Sequence, residues 1–451
     1  MSNPRRATFK AVSYGSTALL MATMSAGISS ADVAGAAAAT SGSISLMSVN
    51  DSGDPADGAS RLPAARPVVS QHGRYVVFQS RDSQFAESDT NGLEDVFLRD
   101  TTAGTTELVS GVEGEALSGS GATVSANGRY VAFLSSSPDL SSEDANGDKF
   151  DVFVRDMEMG DITLVSRASD GTQRNRDSDA AVISADGTRV AFLTSARLSG
   201  DDHDPTGVEA WKRQDVYVRD LASGTTRLAS VRRNGDDFVG AVGLGGISAN
   251  GRTVGFTWGS SRRSREPGGF YVRDLASSGS TLLWREKILA GGTSDGAPAV
   301  SGNGRFAAFA SDSDALDPDP SFSVYDVAVV DLESGDIRVV SNGRDARDAH
   351  GDSWAPILSY DGAVVAFVSE APNLVRHDEN DVSDAFRYEL GETMTLVSRG
   401  SGGPGNFASG VGGGVAISGD GRHVAFHSFA NNLAEGDTNA SSDVFLWSGA
   451  E

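Results

Sequence analysis

One short element recurs seven times along this chain of 451 residues. It is a glycine, usually followed by arginine, and then a short apolar run that ends in phenylalanine, as in Asn127-Gly-Arg-Tyr-Val-Ala-Phe133. The seven phenylalanines are Phe78, Phe133, Phe192, Phe256, Phe309, Phe367 and Phe426, with spacings of 55, 59, 64, 53, 58 and 59 residues. A near-constant period indicates one supersecondary unit repeated along the chain, and it overrides any domain count based on length.

Each repeat contains the pattern of four short strands. Small apolar residues such as 181–183 precede a tight turn built on Asn-Gly or Asp-Gly, which accepts the positive φ of a hairpin. The Val-x-Phe run follows as a second strand. Asp151–Asp156 alternates between apolar and polar residues as a third strand, and residues 162–165 provide a fourth. Four-stranded units repeated around an axis predict an all-β fold, a seven-bladed β-propeller.

The two ends of the repeat region complement each other. The seventh repeat stops after its third strand, at residues 443–447. The missing fourth strand has a counterpart near the start, because Ile44-Ser-Leu-Met-Ser48 matches Ile162-Thr-Leu-Val-Ser166. We therefore expect one propeller domain over residues 44–447, in which the N-terminal strand closes the last blade.

Two of these motifs resemble the TolB-like, WD-repeat-like propeller family. They are Ser-x-Asp/Asn-Gly-Arg-x-Val-Ala-Phe and the run Asp-Thr-Asn-Gly-x-x-Asp-Val-Phe-x-Arg-Asp at residues 89–100. The resemblance covers nearly everything after residue 42. It implies the propeller fold, and its members are mostly binding scaffolds with occasional enzymes.

The N-terminus and the composition predict an exported protein. Arg5, Arg6 and Lys10 precede a mildly apolar stretch and then small residues, which is typical of an export signal over residues 1–37, using the Sec or the twin-arginine route. We therefore expect a secreted, extracellular bacterial protein. No later segment has the ~20 apolar residues that a membrane span needs. The net charge of -24 argues against a nucleic-acid partner, and the absence of cysteine excludes disulfides.

Spaced acidic residues occupy the loops between the second and third strands. Oxygen-bearing side chains at alternate positions, a glycine for the bend and a later acid suit a hard cation such as Ca²⁺. The candidate metal ligands are Asp89, Asn91 and Asp95; Asp144, Asn146, Asp148 and Asp151; and Asp437, Asn439 and Asp443. The loop that begins at Asp144 fits best. The alternative is a turn, in which the Asn or Asp side chain caps its own backbone and the last Asp begins the third strand.

Residues that depart from the repeat are candidates for ligand binding. Trp354, Trp258 and His350 are not part of the repeating pattern, and Trp258 precedes a basic loop with Arg262, Arg263 and Arg265. Packing is the alternative for each tryptophan. No residue is assigned a catalytic role.

The function expected from this sequence is binding of a protein, peptide or glycan on the face that carries the long loops. One alternative is a secreted hydrolase or lyase that acts on polysaccharide or peptide through residues lining the central channel. A purely structural surface protein is the third possibility.

Overall fold

The computed structural model describes residues 42–63, 68–202, 214–236, 238, 242–259, 268–285, 297–313, 316, 324–343, 349–391, 393–412 and 414–449. The predicted export signal at 1–37 lies outside these residues. Within them are seven four-stranded antiparallel sheets, which confirms the predicted seven-bladed β-propeller. None of the described helices is long and apolar enough to cross a membrane.

In each blade the first strand is nearest the central axis and the fourth strand is farthest from it. Blade 1 contains Ser60–Arg61, Tyr75–Ser80, Asp95–Asp100 and Thr105–Leu108. Blade 2 contains Ser120–Val124, Tyr130–Ser135, Asp151–Asp156 and Ile162–Leu164. Blade 3 contains Ser178–Ile183, Arg189–Thr194, Asp215–Asp220 and Thr226–Leu228. Blade 4 contains Val242–Ile247, Thr253–Trp258, Gly269–Asp274 and Thr281–Arg285.

The remaining blades follow the same order. Blade 5 contains Ala299–Val300, Phe306–Ser311, Asp326–Asp331 and Ile337–Val339. Blade 6 contains Ser353–Leu358, Val364–Ser369, Asp384–Glu389 and Met394–Leu396. Blade 7 contains Val415–Ile417, His423–Ser428, Asp443–Ser448 and, from the N-terminus, Ser43–Leu46. Two small hairpins, Gly111–Val112 with Glu115–Ala116 and Arg399–Gly400 with Gly403–Pro404, and two 3-10 turns, Ser83–Phe85 and Pro138–Leu140, lie in the connections.

The N-terminal strand closes the ring as predicted. Ile44 is paired with Trp447, and the Met47 backbone N–H donates to the Val444 carbonyl at 2.7 Å. The last blade therefore has no unpaired outer edge along its third strand, where an open array would expose one.

A ring of backbone hydrogen bonds joins the blades around the axis. One bond crosses each blade boundary at the tight turn between the first and second strands. The donor N–H groups belong to Gln71, Ala126, Asp186, Ala249, Asn303, Tyr360 and Asp420, and the matching carbonyls to Ala126, Ala185, Ala249, Gly302, Tyr360, Gly419 and Gln71. Since the seventh bond returns to blade 1, the ring is closed on this face as well.

The glycine of the repeat has both a conformational and a packing role. Gly128 has a φ of 77°, which an L side chain rarely adopts. A Cβ at Gly128 would also lie 2.1 Å from Cδ2 of Tyr75 in the preceding blade. The turn therefore needs glycine because the neighbouring blade packs directly against it.

The other repeated residues are structural. All seven repeat phenylalanines are fully buried, and most pair with an aromatic ring of the third strand, as Phe133 does with Phe153 at 5.9 Å. The turn arginine binds the aspartate that ends the third strand, for example Arg129 and Asp156 at 2.7 Å. The same pair occurs as Arg74–Asp100, Arg189–Asp220, Arg252–Asp274 and Arg305–Asp331.

Candidate binding and cation sites

The propeller has two unlike faces. The tight turns between first and second strands, and between third and fourth strands, lie on one face. The longer second-to-third connections and the blade-to-blade connections lie on the other, which we call the long-loop face. Rigid scaffolds commonly carry their binding residues on such loops.

Exposed apolar side chains are concentrated on the long-loop face. Among the described residues, nine large apolar side chains are exposed, and six belong to this face. Those six are Leu93, Phe150, Tyr325, Phe407, Val411 and Phe429. Isolated exposed apolar residues are ordinary, but a group of them on one face is typical of an interaction surface.

Phe407 and Phe429 lie on adjacent backbone segments and form the aromatic part of this face. They are 54% and 51% exposed. The Phe429 N–H donates to the carbonyl of Ala408 at 3.4 Å, so the two segments are joined beside both rings. We call Phe407, Val411 and Phe429 the blade 7 patch. Sequence reasoning missed this patch because both phenylalanines lie outside the repeat, in connections that are otherwise polar. No strand pattern there predicts whether an apolar ring is buried or exposed.

Amide side chains border the blade 7 patch. Asn406 Nδ2 donates to Asn431 Oδ1 at 2.8 Å, and the Asn431 backbone N–H donates to Asn406 Oδ1 at 3.2 Å. The amide of Asn432 holds the same connection through the carbonyl of Pro404 at 2.9 Å. These bonds fix the backbone on which the exposed rings stand.

The three predicted ligand-binding residues do not form one site. Trp258 is fully buried and packs against Phe238 with ring centroids 4.8 Å apart, so its assignment to a ligand surface was wrong and the packing alternative applies. Residues 254–258 are all buried, so both faces of this strand lie in the core of the propeller and the ring of Trp258 lies there with them. The basic loop with Arg262, Arg263 and Arg265 lies outside the described residues.

Trp354 and His350 lie near each other at the start of blade 6. Trp354 is half-buried at the first strand, where it pairs with Val368, and the next residue, Ala355, has a φ of 51°. His350 is exposed on the connection into this strand, and its backbone N–H donates to Asn373 Oδ1 at 2.9 Å. Val368, the strand partner of Trp354, also lies against Gly410, the residue before Val411 of the blade 7 patch.

The central channel contains a small, open cavity of about 70 Å³ near the tight-turn face. Its walls are the ends of the seven first strands and the turns that follow. The lining residues include Val124, Ile183, Ile247, Val300, Leu358 and Ile417, with Gln71 and Tyr360 as the larger polar groups. Within the described lining there is no His, Arg or carboxylate side chain.

The last aspartate of each acidic loop has a structural partner. Asp95 Oδ1 accepts a hydrogen bond of 2.6 Å from Ser110, the serine that ends the fourth-strand motif. Asp151 and Asp443 receive the same bond from Ser166 and Ser48. Each serine oxygen in turn accepts the N–H of the residue after the aspartate, as with Val96 at 3.0 Å. One oxygen of each predicted ligand is therefore committed to the sheet, while the other faces the loop.

The asparagines of the loops form turns. Asn91 Oδ1 accepts the Leu93 N–H at 2.5 Å, and Asn439 Oδ1 accepts the Ser441 N–H at 2.8 Å. Asn146 instead uses its Nδ2 to reach the carbonyl of Arg174 at 3.0 Å. The turn alternative thus describes Asn91 and Asn439, and their side-chain oxygens already accept a hydrogen bond.

The first aspartates of the loops differ from one another. Asp89 is only 2% exposed, and neither of its carboxylate oxygens has a hydrogen-bond partner among the described residues. Burial and the nearby charge of Asp95 raise the pKa of Asp89 to about 6. Burial and Asp443 likewise raise the pKa of Asp437 to about 6. Oδ1 of Asp437 and Oδ2 of Asp443 are both buried without a partner in the part of the chain that the structure describes.

The loop that best matched a cation site in sequence is occupied by a side chain. Gln173 Nε2 lies 3.0 Å from Asp144 Oδ1 and 3.0 Å from Asp151 Oδ2, so one amide group bridges the two carboxylates. Asp148, a predicted ligand of the same loop, is exposed and stands apart from this buried pair. The loop that best fits a cation site in the sequence therefore has a side-chain amide between two of its predicted ligands in the structure.

The fold and these surfaces define a closed, seven-bladed β-propeller. No family model matches the chain, and no curated protein sequence matches it. An oligogalacturonate lyase in complex with manganese is similar in structure, with a TM-score of 0.52 and 10% identity over 91% of this chain and 97% of that chain. The propeller domain of the Trilobed protease from Pyrococcus furiosus, described as having an open velcro topology, matches with a TM-score of 0.50 and 11% identity over 87% of this chain and 94% of that chain.

A putative TolB from Agrobacterium tumefaciens also matches, at 16% identity over 65% of this chain and 83% of that chain, but with a TM-score of only 0.38. That score is too low to support an assignment to the TolB-like family, which stays a prediction. The similarity to the other structures shows the propeller fold alone.

Proposed function

We propose that this protein is an exported interaction scaffold that binds a protein, peptide or glycan on its long-loop face. The observation that carries this proposal is the blade 7 patch, where Phe407 and Phe429 are each more than half exposed on neighbouring backbone segments. Aromatic rings contribute large contact area for little conformational entropy, so they are common at the centre of binding surfaces.

The surroundings of the blade 7 patch support a pre-formed surface. Ser409 Oγ donates to Ser428 Oγ at 2.9 Å, and Asn406 pairs with Asn431 beside the rings. A surface held in this way loses little freedom when a ligand binds. Rings next to exposed amides also suit ligands that combine an apolar face with hydroxyl or amide groups, as sugars and peptides do. Trp354 and His350 extend the proposed surface toward blade 6.

The alternative of a hydrolase or lyase has less support. General acid–base catalysis needs titratable groups within hydrogen-bond reach of the substrate, and the described lining of the axial cavity is apolar apart from Gln71 and Tyr360. The lyase with a similar fold is only 10% identical to this chain, and at that identity the similarity supports a common fold and not a common activity.

The test is a binding screen with the labelled, mature chain against a glycan array and a displayed peptide library. We expect ligands whose affinity falls at least tenfold in a Phe407→Ala, Phe429→Ala double variant, because both anchoring rings are then lost. The control is Met159→Ala, which removes a side chain that is 66% exposed on the opposite face and should leave binding unchanged. Binding that the double variant leaves intact, or turnover of an arrayed glycan, would contradict the proposal.

A further inference from the structure

Among the described residues, four blades carry the same pair of buried or half-buried aspartates, and the pairs differ in the groups that compensate them. The pair consists of the first aspartate of the loop and the aspartate that begins the third strand. The pairs are Asp89 with Asp95 in blade 1, Asp144 with Asp151 in blade 2, Asp378 with Asp384 in blade 6, and Asp437 with Asp443 in blade 7. Two carboxylates close together and shielded from water repel each other, so each pair requires a compensating group.

In blade 2 the compensating group is an amide. Gln173 donates from one nitrogen to both Asp144 and Asp151, at 3.0 Å each. It lies between Oδ1 of Asp144 and Oδ2 of Asp151, where a bridging cation would otherwise stand, while Oδ2 of Asp144 is buried without a partner among the described residues.

In blade 6 the compensating groups are an amide and a guanidinium. Asn380 Nδ2 donates to Oδ2 of Asp384 at 2.7 Å, and burial raises the pKa of both aspartates, that of Asp384 to about 7. The charge of Arg399 also acts on Asp378.

In blades 1 and 7 no described side chain bridges the two carboxylates, although Asn91 Nδ2 donates to Oδ2 of Asp95 at 3.0 Å. Both oxygens of Asp89 and one oxygen each of Asp437 and Asp443 are buried without a hydrogen bond, and Asp443 itself is 0% exposed. A buried carboxylate oxygen without a partner costs free energy, so it points to a ligand that supplies positive charge.

The register of the connections explains this difference. Gln173 is bridged to Arg167, the residue after the serine that binds the third-strand aspartate. The residues at the equivalent register are Ala116 in blade 1, bridged to Gly111, and Pro55 in blade 7, bridged to Val49. Neither alanine nor proline has a side chain that donates a hydrogen bond.

We propose that blades 1 and 7 each bind one calcium ion, in blade 1 between Asp89 and Asp95 and in blade 7 between Asp437 and Asp443. The donor atoms are all oxygen, which is the preference of a hard cation, and calcium tolerates an irregular ligand shell better than magnesium does. Within the described residues, no three or more His, Cys, Asp or Glu side chains are arranged to hold a metal. Each ion therefore has two carboxylates and completes its shell with backbone carbonyls and water, which corresponds to affinities of about 10⁻⁴–10⁻³ M.

The blade 7 site lies at the seam where the ring closes. Asp443 accepts a hydrogen bond from Ser48 of the N-terminal segment at 2.6 Å, and Asn439 Nδ2 donates to the carbonyl of Ala56 at 2.8 Å. A cation there neutralises the acidic pair that the N-terminal segment is bonded to. Calcium in this site would thus stabilise the closed ring as well as the loop.

The experiment measures calcium binding and thermal stability of the mature chain after treatment with a chelator. Equilibrium dialysis with radioactive calcium should find two sites, and 10 mM CaCl₂ should raise the melting temperature by several degrees. Asp89→Asn and Asp437→Asn should each remove one site. Ala116→Gln places in blade 1 the side chain that blade 2 already has, and it should also remove the blade 1 site without removing a carboxylate.

The matched variant is Gln173→Ala, which removes the bridging amide from blade 2 and should add a third site. Sodium chloride and MgCl₂ at equal ionic strength should stabilise the chain less, which separates site binding from screening of its net charge of -24. The proposal is overturned by a wild-type chain that gains no stability from calcium, by a gain that Asp89→Asn with Asp437→Asn leaves intact, or by a Gln173→Ala variant that binds no additional ion. These outcomes do not depend on the ligand of the blade 7 patch.

Discussion

Ser48 Oγ donates a hydrogen bond of 2.6 Å to Asp443 Oδ1, across 395 positions of the chain. It is the same bond that Ser166 makes to Asp151 within blade 2, at 2.5 Å. Blade 7 is therefore built like the other blades, although its strands come from opposite ends of the chain.

Deletion of residues 44–49 should leave the protein aggregated or unfolded. The deletion removes the strand Ser43–Leu46 almost entirely and exposes the edge of Asp443–Ser448, which then offers unpaired backbone groups to other chains. The measurements are solubility and the melting curve of the mature chain. Ser45→Ala, at an exposed position of the same strand, is the control and should behave like wild type. A soluble deletion variant with an unchanged melting temperature would disprove closure by this strand.

Gly128→Ala should destabilise the protein more than Gly147→Ala. Both glycines have a positive φ, 77° and 80°, so both substitutions introduce backbone strain. Only at Gly128 does the new Cβ meet another blade, since Tyr75 would lie 2.1 Å away, whereas nothing lies within 4 Å at Gly147. We expect an additional loss of about 1–3 kcal/mol from overpacking, measured by urea denaturation. Equal losses for the two variants would show that blade packing does not limit this position.

Raising the pH should destabilise the protein through Asp384. Burial, with a contribution from Asp378, raises its pKa to about 7 from the usual 3.8. The folded state therefore holds this proton more tightly than the unfolded state, so the free energy of unfolding falls as the pH rises from about 4 through 7. Chemical denaturation in EDTA between pH 4.5 and 8.5 measures the slope.

Asp384→Asn should flatten that slope, because an amide does not titrate in this range. Asp161→Asn changes an exposed aspartate and serves as the control. An identical slope in Asp384→Asn and wild type would remove Asp384 as its cause.

Arg74→Ala should make the protein more sensitive to acid. Arg74 holds Asp100 at 2.6 Å, and this hydrogen bond is the main reason that the pKa of Asp100 is lowered to about 2. A lowered folded-state pKa contributes stability above the unfolded value of about 4 that is lost as the pH falls toward 2. The acid-unfolding midpoint of Arg74→Ala, followed by circular dichroism, should move to higher pH. The matched control is Arg81→Ala, which changes an exposed arginine. If Arg74→Ala and Arg81→Ala have the same acid-unfolding midpoint, the Arg74–Asp100 ion pair does not contribute to acid stability.

The fold could be predicted because every blade repeats nearly the same pattern of strand and turn residues. The spacing of the repeat phenylalanines predicted seven units, and the match between Ile44–Ser48 and Ile162–Ser166 predicted closure. The turn arginine, the turn glycine and the serine that ends the fourth strand each contact a neighbouring strand or blade, as Arg129, Gly128 and Ser110 do. These contacts could be predicted from the sequence because the same residue types recur in most of the blades.

The candidate sites were less predictable. Trp258 departs from the repeat as Trp354 does, but Trp258 lies on a strand that is buried on both faces, whereas Trp354 lies on a half-buried part of its strand. Departure from the repeat therefore did not distinguish an exposed ring from a buried one. Phe407 and Phe429 are 22 positions apart, and their backbone segments are neighbours because the connection into blade 7 pairs with the end of its second strand, from Ser409 to Ser428.

By itself, the sequence determined the strands, the turns, the number of blades and the presence of two acids in the loops of blades 1, 2, 6 and 7, because those depend on residues close together in the chain. Only the tertiary structure decided which group, if any, compensates the charge of each acidic pair. Gln173 is 29 positions from Asp144 and 22 from Asp151, and the register of the connection brings its amide between them. Ala116 and Pro55 occupy that register in blades 1 and 7, where no described side chain bridges the pair and oxygens of Asp89, Asp437 and Asp443 are buried without a partner. The physical reason is that burial makes an unpaired charge costly, and the group that compensates it comes from whichever segment the fold places alongside.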